Sequence, residues 1–168
     1  MSDHIEYRAT TPVPVTIRRT VMEGRTHRLV RVGEGAPGAV CAVRNGDGIM
    51  LGRHLRPVDG REHWEMPRGM GRAGETPMQA ACREFLEETG GILADPVEIG
   101  RIHADTGILD DDIRIIAGHV GRWTGDGDGE LRSPATLLPA EVDRLIAEGM
   151  VDDGITLAAW AVARLTLW

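Results

Sequence analysis

The chain has 168 residues, 42% of them hydrophobic and 27% charged, with a formal net charge of −7. That length suits one globular domain able to bury its own core without staples. The acidic balance argues against non-specific nucleic-acid binding, which needs a basic surface. No apolar run approaches ~18 residues and the N-terminus has no apolar leader segment, so no membrane span and a cytoplasmic location are expected.

In chain order, residues 1–11 read as a loose polar arm ahead of one domain at 12–168. The β-branched stretches 13–19 and 25–32 read as strands around a turn at Met22-Glu23-Gly24. After a Gly/Pro loop at 33–38, residues 39–44 and 48–53 form a hairpin about Asn45-Gly46-Asp47-Gly48. Residues 62–67 are extended, because Pro67 biases Met66 away from helix. Thr76, Pro77 and Gln79 make an N-cap, a first helical residue and a capping box, and Gly90-Gly91 end the helix. Strands at 96–103 and 113–119 flank a Gly/Asp loop at 105–112, and a second acidic Gly loop covers 124–130. Helices follow at 139–148 and 156–168. Strands first, one helix, strands, then two helices predict an α+β domain, layered as an α/β/α sandwich. Cys41 and Cys82 stand in unlike contexts, with no CxxC or Cys/His cluster, and are expected to be reduced structural thiols.

The first helix carries the chemistry. At 100° per residue, Met78, Ala81, Cys82, Phe85 and Thr89 form its core-facing stripe, and Glu84, Glu87 and Glu88 cluster on another side. Like charges at i,i+3 and i,i+4 cost a helix roughly 0.2–0.5 kcal/mol per pair. They also stand near the C-terminal end, where the macrodipole disfavours anions. A divalent cation reverses the sign of these terms, and hard oxygen ligands are what Mg²⁺ prefers. A solvated acidic face is the bland alternative for Glu-x-x-Glu-Glu taken alone.

The surrounding spacing decides between them. Gly69-x₅-Glu75-x₇-Arg83-Glu84-Phe85-x-Glu87-Glu88-x-Gly90 resembles the Nudix box, departing only at Gly91, where an aliphatic residue is usual. The resemblance implies a Nudix-type sandwich around a mixed sheet and hydrolysis of a diphosphate bond with Mg²⁺, or Mn²⁺ in its place. It implies metal binding by Glu84, Glu87, Glu88 and the backbone at Gly69, with Arg83 and Glu75 as a supporting pair. The general base is either a box glutamate or an acid on a later loop, for which Glu130 stands in the right region.

Outside the box, residues 49–57, Trp64-Glu65-Met66-Pro67-Arg68-Gly69 and 100–114 resemble the ADP-ribose pyrophosphatase branch. That implies a small nucleotide substrate, ADP-ribose cleaved to AMP and ribose 5-phosphate, and a homodimer formed through residues 13–32. Arg56 and Arg68 are then candidates to meet phosphates, Trp64 to stack a base, and Gly107 and Asp111 to contact substrate from the post-box loop. Arg68 departs from the small residue usual in that branch and is more typical of dinucleoside polyphosphate hydrolases. The competing readings are hydrolysis of a dinucleoside polyphosphate or nucleoside triphosphate, and a nucleotide-binding regulator without turnover. The six histidines show no metal-binding spacing and are read as incidental.

Overall fold

The computed structural model describes residues 4–10 and 13–168. Ten strands and three helices are assigned among them. A three-stranded antiparallel sheet comes first: β1 (His4–Ala9), β2 (Val15–Met22) and β3 (Arg25–Val32), in that spatial order. Residues 4–9 therefore form a strand, paired from His4↔Arg19 to Ala9↔Val15, instead of part of a loose arm. Residues 1–3 and 11 of the expected arm lie outside the described residues. Glu23 (φ 51°) and Gly24 (φ 75°) make the left-handed two-residue turn that a tight hairpin needs.

The larger sheet is built on β4 (Gly38–Asn45), β5 (Gly48–Arg56), β8 (Gly91–Ile102), β9 (Ile113–Trp123) and β10 (Leu131–Leu137), in the order β10-β5-β4-β9-β8. Two short strands join it off that path: β6 (Arg61–Glu65) on β5, and β7 (Arg68–Gly69) on β4. The β4–β9 pair is parallel and the others are antiparallel, so the sheet is mixed. β10 falls in a stretch to which the sequence reading assigns no element; Pro134 and a break in register between Arg132 and Ala135 blur its alternation.

Helix α1 (Pro77–Thr89) covers one face of this sheet; α2 (Pro139–Ala147) and α3 (Gly154–Leu167) cover the other. This is the α+β sandwich expected. The α1 side buries Ala39, Cys41, Val43 and Met50 against Ala80, Ala81 and Phe85. The opposite side buries Val40, Ala42, Ile49 and Leu51 against Val142, Ala159, Trp160 and Ala163. Adjacent residues of β4 and β5 thus go to opposite cores, the period of two that strands impose.

The caps of α1 are as the sequence predicts. The Gln79 N–H donates to Thr76 Oγ1 at 3.2 Å and the Thr76 N–H donates to Gln79 Oε1 at 2.8 Å. Gly90 closes the helix at φ 71°. The buried stripe differs in three places, one being Ala80, which is fully buried. Met78, in the first turn, is 44% exposed, whereas Glu88, expected on a separate acidic side, is 4% exposed. Glu88 lies seven residues after Ala81 and three after Phe85, so the helix repeat carries it onto the apolar row. Cys41 and Cys82 are free thiols, and burial beside Glu88 and Glu84 pushes the Cys41 thiol up.

Candidate active site

The floor of the site is the two-residue strand β7, whose Gly69 pairs with Ala39 on the α1 face of the sheet. A Cβ at residue 69 would lie 2.1 Å from the Glu84 carboxyl carbon. Only glycine lets that carboxylate press against the backbone here. Next to it, the Arg68 N–H donates to Glu88 Oε2 at 3.3 Å. Two carboxylates of α1 are therefore drawn against one short stretch of chain.

Their surroundings make them unusual acids. Burial, opposed by Arg83, pushes the Glu84 carboxyl up. Burial, then the adjacent Glu84, push Glu88 up to about 8; the Arg68 N–H opposes this, and Asp128 and Glu130 add to it. Glu88 is a carboxylate set in an apolar row with no cationic side chain bonded to it among the described residues.

Arg83 organises the rest. Its Nε and Nη2 donate to Glu75 Oε1 and Oε2 at 2.8 and 2.9 Å, a bidentate pair that holds Glu75 down at about 2. Nη1 donates to Glu84 at 2.6 Å and Glu87 at 2.9 Å, and Nη2 also reaches the Met70 carbonyl at 2.9 Å. Glu87 receives Arg72 as well, at 3.1 Å. With Glu87 drawn outward, no three His, Cys, Asp or Glu side chains among the described residues stand gathered around one point as metal ligands. The donor chemistry nevertheless fits a divalent cation: a half-buried carboxylate, Glu84, and a buried one, Glu88, both pushed up first by burial, meet a backbone stretch bare of side chain.

The loop 124–130 closes the C-terminal end of α1. Asp128 N–H donates to the Glu87 carbonyl at 2.7 Å, and Thr124 N–H to the Gly90 carbonyl at 2.8 Å. A Cβ on Gly127 would lie 2.0 Å from the Glu88 carbonyl, so the glycines of this loop permit contact between two backbones. The same docking brings Asp128 and Glu130 within electrostatic reach of Glu88.

The other expected contacts divide. Arg68 lies in the site but is committed: its Nε bonds Glu65 at 3.1 Å and its Nη2 bonds Asp153 at 3.1 Å. Arg56 makes a two-point pair with the same Glu65, which is 1% exposed. Both arginines are thus structural partners of a buried acid before any phosphate arrives. Trp64 is on the wrong face. It pairs with Arg53, whose guanidinium stacks 4.3 Å from its ring centroid, and it packs on the α2/α3 core. Strand alternation puts consecutive residues Trp64 and Glu65 on opposite sides, and Glu65 takes the site side.

Asp111 lines a cavity of about 310 Å³ between β3, the 33–38 loop, Gly69 and the 104–112 loop. Its Oδ2 accepts from the Ala104 N–H at 3.0 Å, and its Oδ1 is buried without a hydrogen-bond partner. Gly107 sits instead against β2 and β3 and donates to Asp105 Oδ1 at 2.8 Å. The sequence reading missed Glu65, Asp153 and His54. His54 is 9% exposed on β5, four residues beyond Met50, and period-two counting from Met50 would have placed it on the α1 face.

This fold and box define a class. The chain aligns with a solved structure described as "Crystal structure of ADP compounds hydrolase" at TM-score 0.78, covering 99% of this chain and 95% of that one. Identity is 15%, so the likeness is one of fold. A NUDIX domain model matches residues 35–145, most of the chain. The protein belongs to the Nudix family, whose enzymes act on pyrophosphate bonds. An RNA pyrophosphohydrolase of Rhizobium meliloti (strain 1021) is 41% identical over 54 residues, 29% of this chain and 32% of that relative, so the match spans about a third of the relative's length. Among the described residues, no helix is long and apolar enough to cross a membrane.

Proposed function

We propose that the protein hydrolyses the diphosphate bond of a nucleoside diphosphate derivative, with ADP-ribose, cleaved to AMP and ribose 5-phosphate, as its preferred substrate. The observation that carries the reaction class is the pair of α1 carboxylates at the Arg68–Gly69 backbone, Glu84 pressed on Gly69 and the buried Glu88 bonded to the Arg68 N–H. Glu84, Glu87, Glu88 and the backbone carbonyl at Gly69 are the groups that would hold a divalent cation. When bound there, Mg²⁺ or Mn²⁺ supplies charge neutralisation for the diphosphate oxygens and a lowered pKa for water. Arg83 and Glu75 orient the acids, as supporting pairs do around metal ligands. Glu88, pushed up to about 8, and Glu130, on the docked loop, are the candidates in this reading to accept the proton of the attacking water.

The substrate assignment rests on the 310 Å³ cavity, which opens from Gly69 and is walled by the apolar Val30, Ala36, Leu109 and Ile113, with Asp111 as a polar contact. It can take a nucleoside or ribosyl group attached to a diphosphate at the box. One wall comes from the N-terminal sheet. The solved ADP compounds hydrolase shares its fold with nearly the whole chain, N-terminal sheet included, which supports the same reading. Likeness to the RNA pyrophosphohydrolase covers only a 54-residue stretch, and a net charge of −7 disfavours a polyanionic substrate. A homodimer through the N-terminal sheet belongs to the same reading, because Ile5, Tyr7, Met22 and Val32 there are about half exposed.

The test is a Mg²⁺ assay on ADP-ribose, diadenosine polyphosphates, nucleotide sugars and nucleoside triphosphates. AMP released preferentially from ADP-ribose is the expected result. Preferential attack on a polyphosphate would reassign the substrate, and tight binding with no turnover would make the protein a nucleotide sensor.

A further inference from the structure

The cationic side chains of the cleft are already engaged. Arg56 and Arg68 share Glu65, Arg68 also holds Asp153, and Arg83 is saturated by Glu75, Glu84, Glu87 and the Met70 carbonyl. His54 differs. Its side chain is nine-tenths buried, yet its imidazole makes no hydrogen bond or ion pair with the described residues. Neither ring nitrogen is among the buried polar atoms sealed off without a partner, so both keep an opening.

Strand geometry says where that opening leads. Met50 belongs to the α1-side core, whereas Ile49 and Leu51 belong to the other. Counting by two from Met50 places Gly52, His54 and Arg56 on the face of the box acids. The pairs Gly52↔Glu65 and Arg53↔Trp64 agree, since Glu65 meets Arg56 and Trp64 meets Arg53 on opposite sides. On the other flank His54 pairs with Leu131, the residue after Glu130. The charged groups facing the imidazole are Arg56 on β5, Glu65 on β6, Arg68 on β7 and Glu130 ahead of β10, with His63 its cross-strand neighbour. Burial, then Arg56, hold His54 below the usual imidazole range, so it is neutral at pH 7.

We propose that His54 is a substrate-contacting residue whose ring N–H donates a hydrogen bond to a non-bridging oxygen of the bound diphosphate. A neutral imidazole does this with no cost of burying another cation beside Arg56 and Arg68. Its hydrogen-bonding capacity, on the face of the box acids, is left unused by the described residues. As pH falls and the ring gains a proton, the same contact becomes charge-assisted and tighter. The inference rests on the diphosphate-hydrolase reading.

The experiment has two arms. In the first, wild type, His54→Ala and His54→Gln are compared kinetically on ADP-ribose with Mg²⁺ from pH 5.5 to 8.5. A contact made equally in ground and transition states predicts that His54→Ala raises KM about tenfold with kcat nearly unchanged. His54→Gln keeps a donor, so it should recover most of the affinity at pH 8 but lack the tightening that wild type shows towards acid. An unchanged KM in His54→Ala, or a wild-type acid-side tightening that survives in His54→Gln, overturns the proposal. In the second arm, inorganic pyrophosphate with Mg²⁺ is titrated into wild type while histidine ring resonances are followed. The His54 signal should move and that of the exposed His119 should not; a His54 signal indifferent to pyrophosphate overturns the assignment. This arm needs no turnover. A protein that cleaves nothing in the substrate panel would sink the functional reading and still leave His54 decided.

Discussion

Gly69 and Glu88 each depend on what a neighbour does. With its Cβ only 2.1 Å from the Glu84 carboxyl carbon, an alanine at 69 must expel the carboxylate or shift β7. Gly69→Ala should lower turnover by more than about tenfold, by displacing a carboxylate proposed to hold the metal. Circular dichroism should show the fold retained; full activity in that variant would remove Glu84 from the site. Glu88 has the opposite character, a group whose charge costs the fold. Its folded pKa of about 8 stands above the ordinary 4.5. Its stabilising contribution is therefore complete below about 4.5 and is lost as pH rises through 8. Without divalent cation, Glu88→Gln should melt above wild type at pH 8.5, the gap vanishing near pH 4, while its Mg²⁺-dependent turnover drops more than about tenfold. A variant less stable than wild type at pH 8.5 would contradict the burial argument.

Among the elements, the short β6 and the start of α3 are tied by His63. Its Nδ1 lies 2.7 Å from Asp152 Oδ1 and its Nε2 lies 3.0 Å from Asp59 Oδ2. Asp152, then Asp59, raise its pKa, whereas Asp59 is held at about 2 by the Arg61 N–H and by His63. Asp153 next door caps α3 by accepting from the Thr156 N–H at 2.8 Å and also holds Arg68. The imidazolium thus fastens the segment that anchors a site arginine. Its folded pKa exceeds the unfolded value near 6.5, so the stabilisation is fully present below that value and fades as pH rises through the folded pKa. In urea melts, wild type should exceed His63→Gln most at pH 5 to 6, with the difference shrinking towards pH 9. A difference that grows with pH would refute the clamp.

Across the whole molecule, the N-terminal sheet meets the catalytic layer at one seam. Val30 N–H donates to the Ile108 carbonyl at 2.8 Å and the Asp110 N–H returns to the Val30 carbonyl at 2.9 Å. Asp110 Oδ2 receives Arg18 at 3.1 Å and Arg31 at 2.7 Å. These contacts wall the cavity beside Gly69. Partly exposed ion pairs are individually worth about 1 kcal/mol or less, so Asp110→Asn should loosen the seam without unfolding the protein. Amide exchange at Val30 and Asp110 should accelerate while the amides of α1 keep their protection, and KM should rise more than kcat falls. Unaltered exchange at Val30 would show that the backbone pair holds the seam alone.

What was legible in the chain was local in cause. The hairpins at 22–25 and 45–48, both caps of α1, and the register of Glu75, Arg83, Glu84, Glu87 and Glu88 each lie within one short continuous stretch of chain, so spacing reveals them. The tertiary structure decided what distant segments do to the same side chains. Glu88 is buried because β7 and the 124–130 loop close over the apolar row it shares. Arg56 and Arg68 are occupied because β6 carries Glu65 between them. Trp64 is on the far face through the parity of a five-residue strand, and the parity of β5 carries His54 to the face of the box acids. Strand pairing, bulges and loop docking fix these outcomes through contacts far apart in sequence, and a one-residue change in register would send every such side chain to the other core.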